Sequence, residues 1–145
     1  MRFLRIMLAE DNERFAAAGV PYPRVSVDIE TAAVPCVVKA PDRQGQRGLS
    51  LVRDRSALAA AIEEAREASR GGGVIVEELI EGPEVTVNAV SVGGRFVPLA
   101  VTDRVIAGPP AFGVALAHVF PSREAGREVV EVARAAVEAV GIENG

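Results

Sequence analysis

The stretch Val74–Val87, VIVEELIEGPEVTV, constrains the fold more than any other part of the chain. Three β-branched residues, Val74-Ile75-Val76, predict a buried strand. Two carboxylates, Glu77 and Glu78, follow at its end, then the apolar pair Leu79-Ile80, then Glu81-Gly82-Pro83-Glu84. Gly-Pro punctuates a turn, and Glu84-Val85-Thr86-Val87 restarts the alternation of a second strand. The product is a connector with acids at both rims and apolar residues between them. A planar heterocycle can lie against Leu79-Ile80, with exposed backbone N–H and C=O groups reading its edge. Carboxylates accept hydrogen bonds from amino and hydroxyl groups. Glu77 or Glu78 is therefore a candidate for an exocyclic amine, and Glu84 for a sugar diol. The plainer reading of the same residues is a strand–turn–strand with solvated acids.

A length of 145 residues suits one domain with a real core, and 49% hydrophobic with 25% charged residues is a globular composition. The formal net charge of −4 argues against a general nucleic-acid binder or a polybasic membrane binder. No apolar run approaches the roughly 20 residues that span a bilayer. The N-terminus, MRFLRIMLAEDNERF, turns acidic too early for a secretory signal, so a cytoplasmic protein is expected. Cys36 is the only cysteine, which leaves no internal disulfide and no thiolate metal cluster. No metal ligands are assigned on this chain. Lys39 is the only lysine amid many arginines, and it draws attention for that reason.

Along the chain, Leu4–Ala18 reads as a helix with Leu4, Leu8 and Phe15 on its apolar stripe and Gly19 as C-cap. Pro21-Tyr22-Pro23 forces extended backbone, and Arg24–Asp28 reads as a short strand. Val34–Ala40 is a buried strand that delivers Lys39 to the next loop. That loop, Pro41–Ser50 (PDRQGQRGLS), holds two glycines and two arginines. Glycines let backbone N–H groups approach phosphate oxygens, and a lysine adds a point charge to the same anion. It is not a Walker A loop, and a mobile hairpin is the alternative. Leu51–Arg53 closes the hairpin, Asp54 or Ser56 caps a helix Ala57–Arg70, and Leu58, Ile62, Ala65 and Ser69 form its apolar face. After Glu84, Val85–Val92 and Arg95–Thr102 form a hairpin around Gly93-Gly94. Asp103-Arg104 sits at its end, and Val105–Ala111 is a loose segment. Val114–Phe120 is a strand carrying His118, the only histidine, which is either functional or an ordinary strand residue. Glu124–Val140 is the last helix, with Val129, Val130, Ala133, Val137 and Val140 as its stripe and Gly141 as cap.

These motifs, taken in order, resemble the ATP-grasp ligases. Glu77, Ile80, Gly82 and Glu84 fill the family's adenine connector, E-x-x-[IL]-x-G-x-E. Ala16–Arg24, AAAGVPYPR, is similar to the aGvp-x-P that precedes the nucleotide-binding part. Val38, Lys39, Gly45, Gly48 and Leu49 match the V-K-P strand and G-x-x-G-V flap. LAVTDR and AHVFPS resemble the T-D-[KR] and G-H-x-x-P-S of the carboxylate–amine ligase branch. The chain departs from the pattern at Leu8, near which a lysine is usual, at Ala115, where an acid is common, and at Ala117, which replaces a glycine. The family's metal-bearing strands normally follow the G-[IL]-x-x-G that here reads Gly141–Gly145.

The resemblance implies an α+β ATP-grasp fold of two lobes with ATP in the cleft between them, and an incomplete C-terminal lobe. The corresponding divisions are 1–23, an N-terminal helix and linker; 24–83, a small lobe with glycine flap and hinge; and 84–145, the first part of a larger lobe. It implies Lys39, Gly45, Gly48, Glu77, Glu78, Leu79, Ile80 and Glu84 as nucleotide-binding residues, and Lys39 and Arg104 as catalytic ones. Arg104 would hold an anionic substrate group, because its fork matches a carboxylate. The implied cofactors are ATP and Mg2+, with the metal ligands expected beyond Gly145. The implied partners are a small-molecule carboxylate and an amine, with no nucleic acid, no membrane and a possible homo-oligomer. The activity implied is ATP-dependent ligation through an acyl phosphate, with the chain alone expected to be inactive. The alternative is a non-catalytic nucleotide-binding fragment or remnant of such an enzyme.

Overall fold

The computed structural model describes residues 9–43, 45–108, 111–124 and 126–145. They form two compact units, one of Pro23–Gly82 with Ile106–Leu116, the other of the N-terminal residues to Tyr22 with Pro83–Val105 and Ala117–Gly145.

The first unit is built on an antiparallel sheet of three short strands: β1 (Cys36–Lys39), β2 (Leu49–Val52) and β3 (Ile75–Glu78), in the order β2-β1-β3. The strands' two-residue period decides which side chains meet the helix α2 (Leu58–Ala68). Cys36, Val38, Val52 and Val76 are buried together with Leu58, Ala61, Ile62 and Ala65 of α2. Burying such aliphatic side chains is worth roughly 1.5–3 kcal/mol each. This small cluster therefore holds the unit together. Asp54 caps the 3-10 turn Arg55–Ala57 that leads into α2, its carboxylate accepting from Ser56 N at 2.8 Å. The helix ends two residues before the predicted Arg70, because Ser69 is already extended.

Two expectations change here. Strand β3 runs through Glu77 and Glu78 instead of ending before them, with Glu77 opposite Val37 and Glu78 opposite Cys36. The ladder bonds that hold them come from backbone, so their acidity is no obstacle to strand pairing. Residues Arg24–Asp28 make only one bridge, Val25 to Glu77, flanked by Ser26 N to Val76 O and Glu78 N to Arg24 O.

The second unit carries the hairpin of β4 (Glu84–Val92) and β5 (Arg95–Ile106), joined in the order β4-β5-β6 with β6 (Ala115–Val119). Gly93 and Gly94 turn the hairpin with φ of 57° and 78°, the positive values that a two-residue primed turn needs at both central positions. Strand β5 is longer than expected and includes Asp103, Arg104, Val105 and Ile106. It carries a bulge: Asn88 faces Ala100 while Ala89 faces Pro98, leaving Leu99 as the extra residue. Helix α1 (Ala9–Ala18) packs on α3 (Arg127–Ala139), and Phe15 of α1 is buried. The α3 stripe is half-buried, so it finds cover within the unit. The last residues are also used: Ser91 and Gly145 exchange backbone hydrogen bonds of 2.8 and 3.1 Å, and Gly94 N donates to Glu143 O. The predicted turns Leu4–Leu8 of the first helix, Pro109-Pro110 of the loose segment and Ala125 in the last helix lie outside the described residues.

Candidate functional site

In the first unit, β1 places Lys39 at its end, on the face opposite Cys36 and Val38. Val37 and Lys39 share this face with Ile75 and Glu77, because Lys39 pairs with Ile75 and Val37 with Glu77. The Lys39 ammonium lies 2.5 Å from Glu77 Oε2, with the two side chains only 16% and 14% exposed. This is a diagonal cross-strand pair. An ammonium has three donors, so the bond to Glu77 orients Lys39 without using its whole capacity. Of the two carboxylates offered for a heterocycle's amine, Glu77 is thus tied to Lys39. Glu78 is tied to Arg24, accepting from its Nε at 2.7 Å and its backbone N at 3.0 Å. These bonds hold the Glu78 carboxyl below the usual carboxylate range. Beyond β3, Leu79 is half-buried and Ile80 is 64% exposed, which leaves an apolar ledge at the connector.

The glycine loop follows Lys39 immediately, and its two glycines do different things. Gly45 has φ of 70° and nothing within 4 Å of the Cβ it lacks. Gly48 has φ of 65°, and a Cβ there would stand 2.7 Å from Ala68 Cβ and 3.2 Å from Ala65 Cα. Its carbonyl accepts from Ala40 N at 3.0 Å. Gly48 therefore anchors the returning arm of the loop on α2, while Gly45 is the open turn. Sequence reasoning overlooked two further residues here. Gln46 takes φ of 63°, a left-handed conformation rare for a side-chain-bearing residue, and its Nε2 donates to Gly113 O at 2.7 Å. Gly113 has φ of 80°, and a Cβ there would meet Leu49 Cδ2 at 3.0 Å. The segment Ile106–Leu116 is thereby fastened to the loop. No local pattern announces a contact across 67 residues.

In the second unit, Glu84 and Arg104 face each other across β4 and β5 and form an ion pair. The residue proposed for a sugar diol and the one proposed for an anionic group are therefore direct partners. Next to them, the motif around Thr102-Asp103-Arg104 interlocks with the one ending in Pro121-Ser122. Thr102 Oγ1 lies 3.1 Å from His118 Nδ1. Asp103 accepts from the Ser122 hydroxyl and from the backbone N–H groups of Arg123 and Glu124. The Ser122 hydroxyl, ahead of the Arg123 amide, depresses the Asp103 carboxyl below its ordinary value. Asp103 thus ties β5 to the chain after β6. Cys36 is buried, and burial pushes its thiol up, so it is not a nucleophile. Among the described residues no group of three or more His, Cys, Asp or Glu is placed to hold a metal ion. No helix among them is long and apolar enough to cross a membrane.

The sequence profile of the ATP-grasp domain matches residues 10–144. The chain belongs to the ATP-grasp family. Its α+β architecture of antiparallel sheets and helices is the ATP-grasp fold. The D-Ala:D-Ser ligase VanG of Enterococcus faecalis superposes with a TM-score of 0.79 at 21% identity, over 95% of this chain and 46% of that one. An L-amino acid ligase from Bacillus licheniformis superposes at 0.66 with 23% identity, over 94% of this chain and 34% of that one. The biotin carboxylase domain of the Hydrogenobacter thermophilus 2-oxoglutarate carboxylase, a dimer in complex with MgADP, ADP and bicarbonate, gives 0.67 at 24% identity, over 89% and 32%. This ATP-grasp chain therefore spans less than half the length of the solved structures it resembles. No curated protein sequence matches it significantly.

Proposed function

We propose that this chain is the ATP-binding part of an ATP-dependent ligase that joins a carboxylate to an amine. The observation that carries the reading is the placement of Lys39, half-buried, oriented by Glu77 and released directly into a glycine loop. The likeness to ligases and to a nucleotide-bound carboxylase domain supports the same class.

In this reading Lys39 and the backbone N–H groups around Gly45 hold the phosphates of ATP. Leu79 and Ile80 supply an apolar surface for the base, and Glu77 or Glu78 accepts from its amine. Glu84 accepts from the ribose, and Arg104 holds an anionic substrate group beside it. An oxygen of the substrate carboxylate attacks the γ-phosphorus, the bond to the β-phosphate oxygen breaks, and ADP leaves. The amine then attacks the acyl carbon and inorganic phosphate departs. Charge builds on the transferring group, and prepositioned cations and amides stabilise it. Lys39 is thus an electrostatic stabiliser and not an acid or base. Magnesium, when bound, offsets charge on the β- and γ-phosphates.

Calorimetric titration with ATP tests the central claim. Lys39→Ala should weaken ATP binding about tenfold or more, the loss of a charge-assisted hydrogen bond of roughly 1.5–3 kcal/mol. Arg66→Ala, on the exposed surface of α2, should bind as the unaltered chain does. Equal ATP affinities for Lys39→Ala and the unaltered chain would remove the phosphate role.

A further inference from the structure

The glycine loop holds a second cation that the family motif does not nominate. Arg43 lies four residues after Lys39, in the turn where its own backbone N donates to Ala40 O at 3.4 Å. Its side chain is half-buried, and its Nε is shielded from solvent yet has no hydrogen-bond partner among the described residues. The arginines of salt bridges here are Arg24, Arg53, Arg66, Arg104 and Arg134, each with a glutamate; Arg43 forms none among the described residues. The neighbouring acid, Asp42, turns one oxygen to the backbone N–H groups of Arg70 and Gly71, at 2.7 and 3.1 Å. A shielded guanidinium donor without an acceptor is costly, and buried donors are normally matched. An arginine's Nε and one Nη form a fork that fits two oxygens of a phosphate.

We propose that Arg43 is a ligand for a phosphate group of the bound nucleotide, working together with Lys39, which lies four residues before it in the chain. The proposal rests on the ATP-binding reading above and adds a residue to it. Lys39 is held by Glu77 and acts as a point charge. Arg43 supplies the directional fork, and an oxyanion supplies the acceptor that its Nε lacks.

The test is calorimetry on the full chain with ATP, ADP and adenosine, using Arg43→Gln, Arg43→Lys and the exposed helix control Arg127→Gln. Arg43→Gln should lose ATP affinity tenfold or more while binding adenosine as the unaltered chain does. Arg43→Lys should recover only part of the loss, because it restores charge without the fork. Arg127→Gln should change nothing. Phenylglyoxal labelling of the unaltered chain, read by peptide mapping, guards against a variant that does not fold. ATP should protect Arg43 from labelling, and adenosine should not. Unchanged ATP affinity in a folded Arg43→Gln, or labelling of Arg43 that ATP does not slow, overturns the proposal while leaving the role of Lys39 standing. No ATP binding by the unaltered chain would overturn the ATP-binding reading and this proposal with it.

Discussion

Each candidate acid of the connector is matched to a cation by strand register. Glu77 meets Lys39, Glu78 meets Arg24, and Glu84 meets Arg104. Such pairs at a half-buried surface do little for stability, because desolvation offsets much of the attraction. What they fix is orientation. Glu84 is 39% exposed at the side chain and Arg104 25%, so the carboxylate is the more open partner of the pair. If Glu84 accepts from a ribose hydroxyl, removing it should cost about 1–3 kcal/mol of ATP affinity. The same loss should be absent for 2′,3′-dideoxy-ATP, which has no hydroxyl to donate. Glu84→Ala should therefore bind the two nucleotides equally, where the unaltered chain prefers ATP. A variant that still discriminates as the unaltered chain does would take the ribose away from Glu84.

Among the elements, the glycine loop shows how two identical residues acquire different duties. Gly48 is required twice over, by its φ of 65° and by the 2.7 Å approach of Ala68 Cβ. Gly45 is required only by its φ of 70°. Gly48→Ala should therefore lower stability by about 2–4 kcal/mol, combining left-handed strain with overpacking against α2. Gly45→Ala should cost about 1–2 kcal/mol, from strain alone. Urea unfolding of both variants checks the ordering, and equal losses would mean that α2 yields without cost. Much of this was legible beforehand. The apolar period of Leu58, Ile62 and Ala65, the cap at Asp54 and the paired glycines of the hairpin are local signals, and local signals survive in sequence. The strand extent was less legible. Glu77-Glu78 and Asp103-Arg104 look like loop residues by composition, yet the backbone ladder and a partnered side chain keep them in strands. Gln46 was invisible because its partner, Gly113, is brought near only by the fold. The close approach of Gly48 to α2 has no local signature either, because only the fold brings Ala65 and Ala68 to it. The tail at Glu143–Gly145 also escaped notice, since nothing in Ile142-Glu143-Asn144-Gly145 advertises a pairing with Ser91.

At the scale of the whole molecule, exposed apolar side chains recur on the sheet of β4, β5 and β6, with Val27 and Ile80 exposed outside it. The stripe of α3 is half-buried, with α1 and β4 as its neighbours. The exposed set instead includes Leu99, Leu116 and Phe120, at 64, 66 and 69%, with Val119 at 40%. Every residue of β6 is exposed, and β6 is the edge of its sheet. The opposite edge, β4, is partly covered where Ser91 pairs with Gly145. An uncovered apolar edge strand templates pairing with another chain, and natural edges are often protected by charge. We therefore expect this chain to self-associate reversibly through β6 as its concentration rises. Leu116→Lys should suppress that association by placing an ammonium on the edge, at little cost in stability, because the leucine is already exposed. A substitution at Val132 of α3, itself 40% exposed, should leave the association unchanged. Sedimentation velocity over a concentration series measures both. Association that persists in Leu116→Lys but disappears in Val132→Lys would move the sticky surface from the sheet edge to the helix.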